Sequence, residues 1–193
     1  MEKHMKTKSM YMVLAGTLVW TATTGIAATQ GESYIGVQYG YGDYSEEGIS
    51  ETFNPTALIG RFGYFFHPNF SVEGRLGIGL QDDTQFVSSV GPSGIDARLD
   101  IDHVVGLYGT GHINLTDWLS FYGVLGASSV KATASIPSIP ALTASDDESS
   151  VSYGVGADVG IGKNIALNVE YMRYLEKSSY DFDMIGLGAT FSF

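Results

Sequence analysis

In successive stretches between Ser33 and the C-terminus the chain alternates, residue by residue, between bulky apolar side chains and small or polar ones, the period of a strand with two different faces. The first such stretch, about 33–44, sets Ile35, Val37, Tyr39 and Tyr41 opposite Gly36, Gln38, Gly40 and Gly42. The second, about 56–66, sets Leu58, Phe62, Tyr64 and Phe66 opposite Ala57, Arg61 and Gly63. After the tight turn His67-Pro68-Asn69, Phe70, Val72, Leu76, Ile78 and Leu80 oppose Ser71, Glu73, Arg75, Gly77 and Gly79. Further strands are predicted over 99–113, 118–130, 151–162, 165–175 and 183–193, which makes eight. In 118–130 two sets compete, and Leu119, Phe121, Leu125 and Ala127 make the better outward row than Tyr122, Val124 and Val130. Connections alternate between short ones (67–69, 114–117, 163–164) and long polar ones (81–98, 131–150, 176–182).

Alternation alone does not separate a barrel in lipid from a soluble lipocalin- or avidin-like barrel, in which the same apolar rows pack inward. Three features choose lipid. The polar rows are mostly Gly, Ser and Thr, which suits a narrow lumen, whereas a solvated face carries Lys and Glu. Aromatics gather near strand ends: Phe66, Phe70, Trp118, Phe121, Phe191 and Phe193 toward the short turns, and Tyr41, Tyr44, Tyr153 and Tyr171 toward the long loops, as two interfacial girdles require. Short turns on one side and long acidic loops on the other match periplasm and exterior. The expected fold is all-β: an eight-stranded antiparallel up-and-down transmembrane β-barrel in the outer membrane.

The N-terminus agrees with export. Lys3, Lys6 and Lys8 precede an apolar run from Tyr11 to Ala28 that is interrupted by Thr and Gly and ends Thr24-Gly25-Ile26-Ala27-Ala28. Small residues at 25 and 27 fit a signal-peptidase site, and no basic stop-transfer cluster follows. Residues 1–27 are expected to be a cleavable signal peptide and 28–193 the barrel domain. The whole chain holds 10 Lys and Arg against 21 Asp and Glu; removing 1–27 takes away three Lys and one Glu, leaving 7 against 20, or −13. Such a balance argues against nucleic acid as a partner. With no Cys, neither a disulfide staple nor a lipoprotein anchor is available.

The chain ends Gly188-Ala-Thr-Phe191-Ser-Phe193, a Gly followed by two alternate aromatics with the second at the carboxylate. This resembles the C-terminal signal read by the barrel-assembly machinery, although Gly186 stands where a polar residue is usual. Together with Tyr122-Gly-Val-Leu-Gly126, it makes the mature chain similar to the small eight-stranded outer-membrane barrels, which include the outer membrane protein A transmembrane domain, outer membrane protein X and adhesin relatives. The resemblance implies a monomer that contacts outer-membrane lipid and lipopolysaccharide and serves envelope integrity, adhesion or host interaction. It does not choose among these.

If the apolar rows face lipid, Arg61, Glu73, Arg75, Asp158 and Glu170 face the lumen at similar depth, where opposite charges must pair. The expected outcome is a plugged lumen; a narrow ion-conducting path is the alternative. Arg173 shares the outward face near the loop end and is a candidate contact for lipopolysaccharide phosphates. Acidic loop residues, Asp146-Asp147-Glu148 among them, read as solvated surface with no expected metal or cofactor, and Ser135-Ile-Pro-Ser-Ile-Pro140 as a semi-extended tip that could meet an extracellular ligand. A lipid A-modifying enzyme would need His and Ser together near an interface. His67 falls in a turn, while His103 and His112 face opposite ways on one strand, so a catalytic role is not expected.

Overall fold

The structure, a computed structural model, describes residues 29–46, 53–87, 95–136, 143–177 and 180–193. The expected signal peptide, its cleavage point and the Pro137–Pro140 tip lie outside the described residues. Nine strands occur among the described residues: β1 (Ser33–Glu46), β2 (Thr56–His67), β3 (Phe70–Gln81), β4 (Asp83–Val87), β5 (Ile95–Asn114), β6 (Leu119–Ser135), β7 (Thr143–Gly160), β8 (Ile165–Glu176) and β9 (Tyr180–Ser192).

Every neighbouring pair is antiparallel, and two long-range pairings close the ring. β1 pairs with β9 from Tyr34↔Ser192 to Glu46↔Tyr180. β3 pairs with β5 from Phe70↔Gly111 to Ile78↔His103. The circuit is therefore β1-β2-β3-β5-β6-β7-β8-β9, an eight-stranded barrel with no open edge. β4 continues β3 past a break at Asp82 and, among the described residues, pairs with the start of β5, from Asp83↔Leu99 to Val87↔Ile95. Where the ends meet, Ser33 N–H donates to Phe193 O at 3.0 Å and Phe193 N–H to Ser33 O at 2.8 Å.

The bulky rows face outward. Leu76, Leu107, Leu125, Val155 and Leu187 are each more than 60% exposed, values that make sense only against hydrocarbon. The opposite parity is buried: Ala57, Ile59, Val104, Tyr108, Val124, Met172 and Met184 lie inside with Arg61, Glu73, Arg75 and Glu170. In β6 the outward row is Phe121, Leu125 and Ala127, with Tyr122, Val124 and Val130 inside. Two lumen glycines are required sterically, because a Cβ at Gly63 or Gly156 would collide with the ring of Tyr34 or Tyr122 lying across it.

The hairpins above the exterior interface differ from expectation. Segments 81–98, 131–150 and 176–182 were expected to be loops, yet β4 pairs with β5, β6 runs to Ser135 against β7 from Thr143, and β9 begins at Tyr180. The reason is that these arms carry no hydrophobic alternation: pairs such as Lys131↔Asp147 and Thr133↔Ser145 keep the backbone ladder while both faces lose their apolar signature. β2 and β3, at 12 residues each, just exceed what a tilted strand needs to cross the hydrocarbon. β5, β6 and β7, at 20, 17 and 18 residues, rise well beyond it.

An outward cation at mid-height tests this arrangement. Leu107→Arg is expected to lower unfolding stability in lipid vesicles by about 2–4 kcal/mol, and the same change at the turn residue Leu115 by less than about 1 kcal/mol, read by urea titration of the refolded barrel.

Candidate functional site

The lumen is filled at mid-height by charges. Arg61 and Arg75 stand directly opposite on β2 and β3, a like-charged pair that would be repulsive unless acid separates them. Glu73, two residues along the same face as Arg75, does so: Arg61 Nη2 lies 2.8 Å from its Oε2, and Arg75 Nε lies 2.6 Å from its Oε1. Glu170 arrives from β8, four strands from β3 in either direction around the ring. It accepts a fork from Arg75, with Nη1–Oε1 at 2.5 Å and Nη2–Oε2 at 2.8 Å, and lies 3.8 Å from Arg61. The Arg75–Glu170 pair thus spans the full width of the barrel. All four side chains are at most 3% exposed, and two positive charges face two negative ones.

A ring of tyrosines completes the layer. Tyr34 donates to Glu73 Oε2 at 2.5 Å. Arg61 lies over the Tyr122 ring at 5.6 Å and Arg75 over the Tyr108 ring at 4.8 Å, cation–π contacts in a dry site. Arg75 Nη1 also reaches Tyr174 OH at 3.4 Å. Gln38 donates to Asn168 at 2.8 Å, bridging β1 to β8. Parity sets Gln38 and Tyr122 on inward rows in the sequence, but a reading that weighs only formal charges gives neither them nor the other tyrosines a part in the cluster; their shared parity with Arg61 and Glu170 and the glycines opposite them were the available signal.

Asp158 points into the same barrel but does not join the cluster. Its register partner on β8 is Asn168, two residues closer to the short turns than Glu170. Its nearest basic atom is His112 Nδ1 at 3.9 Å. His112 is held between Phe65 and Tyr122, with ring centroids at 5.0 and 5.4 Å, and its Nε2 lies 3.0 Å from Thr110 Oγ1. Thr110 in turn bonds Ser71, which meets Tyr34 OH at 3.3 Å. Below the cluster a cavity of about 530 Å³ opens toward the short-turn end, with Arg61, His112 and Asp158 on its lining. Above the cluster lies an apolar layer that includes Ile59, Val104, Met172 and Met184. Among the described residues no group of three or more His, Asp and Glu is arranged to hold a metal ion.

Around the outside, Tyr41, Phe66, Phe70, Trp118, Phe121, Tyr153 and Tyr171 are exposed at 41–53%. Tyr44 is a correction to the expected girdle: its even position shares the inward parity of Gln38, and its ring packs on Phe53 and Tyr180 at centroid distances of 6.5 and 5.8 Å. Phe191 and Phe193 stack at 6.3 Å on the outer face, while Gly188 sits where a Cβ would strike β1. Arg173 does not project as a free cation. Its fork closes on Asp183 at 2.7 and 2.8 Å, and Asp181 and Glu176 stand 3.7 and 3.9 Å away, so carboxylates already surround it.

A closed strand ring with a lipid-facing apolar surface and an interior filled by charges at mid-height defines a small transmembrane β-barrel of the outer membrane, in contact there with lipid and lipopolysaccharide. Residues 12–193 match the family of the outer membrane protein beta-barrel domain, and the chain belongs to that family. Comparison with curated proteins returned no match. Among solved structures, the attachment invasion locus protein Ail of Yersinia pestis is 21% identical, with a TM-score of 0.61 over 86% of this chain and 100% of that one. It has also been crystallised with the heparin analogue sucrose octasulfate. The outer membrane protein OprG of Pseudomonas aeruginosa is 14% identical, with a TM-score of 0.60 over 85% of this chain and 96% of that one. Neisserial surface protein A is 15% identical, with a TM-score of 0.57 over 85% and 100%. At these identities the likeness is one of fold.

The cluster predicts a marked asymmetry between single and paired changes. Glu170→Gln leaves Arg75 buried beside one lost partner and is expected to cost about 3–5 kcal/mol, whereas Arg75→Met with Glu170→Leu together should cost clearly less than the sum of the two single changes. Urea unfolding of the four proteins in one lipid system gives the coupling.

Proposed function

We propose that the protein is a non-conducting surface barrel: its lumen is closed by the Arg61–Glu73–Arg75–Glu170 cluster, and its projecting hairpins meet the environment in envelope maintenance or adhesion. The observation that carries this reading is the Arg75–Glu170 pair, which joins opposite walls and leaves no solute-sized passage at that height. The apolar layer above adds a second barrier to ions.

Other parts of the reading follow from placement. Gly188, Phe191 and Phe193 are the residues we assign to recognition by the barrel-assembly machinery, since both rings lie on the outer face of the last strand. The protein acts as a monomer because its ring is already closed. Catalysis has no role in this reading: His112 is bonded to buried Thr110 and wedged between rings, and His103 lies on the opposite, outward parity. Arg173, ringed by carboxylates, would meet a lipopolysaccharide phosphate only together with a bridging cation. An extracellular ligand resembling heparin is disfavoured here, because Asp82, Asp83, Asp146, Asp147, Glu148 and Asp181 crowd the exterior arms.

Planar-bilayer recording tests the closed lumen. The native protein should show no steady conductance at moderate voltage, and Arg61→Ala or Glu170→Ala should introduce small channel events; steady large conductance from the native protein would contradict the proposal. Removing residues 131–150 should abolish surface attachment of expressing cells if the role is adhesion, without loss of the folded band on unboiled gels.

A further inference from the structure

The exterior mouth of the barrel is not solid. Above Tyr174, which packs on Phe182 at 6.2 Å, a cavity of about 190 Å³ opens between the projecting arms. Its floor is apolar, formed by Ile101, Val130 and Phe182, each 3% exposed. The space exists because Ala132, Ala134 and Ala144 stand on the walls where larger side chains would fill it. A cavity of this size suits one six-membered ring or a short alkyl chain, since an apolar cavity of about 150 Å³ holds benzene.

The upper lining has a different chemistry. The rings of Tyr44 and Tyr180, 5.8 Å apart, line it together with Asp146 and Glu148. Glu148 is neutralised by Lys177 at 3.0 Å, while Asp146 has no cationic partner among the described residues. Asp82 is bridged to Arg98 at 2.8 Å and Asp181 stands 3.7 Å from Arg173, so Asp146 is the carboxylate of the lining left to draw a cation. An apolar floor, aromatic faces and one uncompensated carboxylate together are what an apolar body with a positive end requires.

We propose that the exterior mouth binds a small amphipathic cation, its ring or alkyl body on Ile101, Val130 and Phe182 and its charged end between the Tyr44–Tyr180 pair and Asp146. The cluster beneath would make this a dead-end site open only to the exterior. That topology rests on the closed lumen, but the binding does not: steady conductance would remove the dead end and leave the measurement below intact.

Benzyltrimethylammonium is a suitable probe, being compact and poorly partitioned into zwitterionic bilayers. Alanine-methyl NMR of the whole barrel in zwitterionic nanodiscs should show saturable shifts at Ala132, Ala134 and Ala144, absent for lipid-facing Ala127 and Ala189. Benzyl alcohol and benzenesulfonate, which keep the ring but lose or reverse the charge, should bind about tenfold or more weakly. Asp146→Asn should weaken the cation about fivefold to tenfold without changing benzyl alcohol, and added salt should shrink the difference. Ala134→Leu, or Ala144→Val if that variant fails to give the folded band, should abolish the shifts at the remaining alanines. Absence of saturation, equal affinity for the three probes, or indifference to Asp146→Asn would each overturn the assignment.

Discussion

Inside a bilayer no water is present to satisfy a peptide group, and each unpaired N–H or C=O costs several kcal/mol. The structure answers that constraint by closing its sheet, so that β1 pairs with both β2 and β9 and no strand of the ring is an edge. Side-chain roles follow from closure. With every backbone group committed to the ladder, alternate residues have only two destinations, acyl chains or a lumen about one side chain deep. The outward rows are accordingly Val, Leu, Ile and Phe. The inward rows must fill a small volume with groups that satisfy one another.

Closure also explains why charges are tolerated at the centre. Two arginines opposite each other on β2 and β3 would repel, but Glu73 lies between them on one wall and Glu170 reaches them from the other. Tyrosines supply hydroxyls and ring faces to the remaining edges of the guanidinium groups. The result is polar contents that seal the lumen as a packed core does, with the apolar rows left free for lipid. The same four residues therefore hold the walls together and determine the proposed lack of conductance, which links stability and function in one feature. Toward the exterior the constraint relaxes. Strands above the membrane retain their ladder but are free to vary their faces, and there small alanines leave a cavity with Asp146 and Glu148 on its lining.

Much of this was legible in the chain because period two is a strong signal wherever one face is hydrocarbon. Strand parity alone places Arg61, Glu73, Arg75 and Glu170 on inward faces, and the outward choice of Phe121 and Leu125 in β6 agrees with their exposure. What parity cannot supply is register between strands. Asp158 shares the inward face, yet its pairing with Asn168 sets it two residues below Glu170 and outside the cluster. Tyr44 is close to a strand end, as a girdle residue would be, but its even position counts it among the inward residues. The projecting arms look like loops in the sequence because alternation of hydrophobicity disappears once both faces of a strand meet water.

The account depends on which row of each strand meets the acyl chains. The most direct measurement is the set of nuclear Overhauser contacts between lipid methylenes and protein methyl groups in a nanodisc. The account predicts contacts to Leu76, Leu107, Leu125 and Leu187 and none to Ile59, Val104 or Val124. Lipid contacts to the second group, with the four leucines silent, would contradict it.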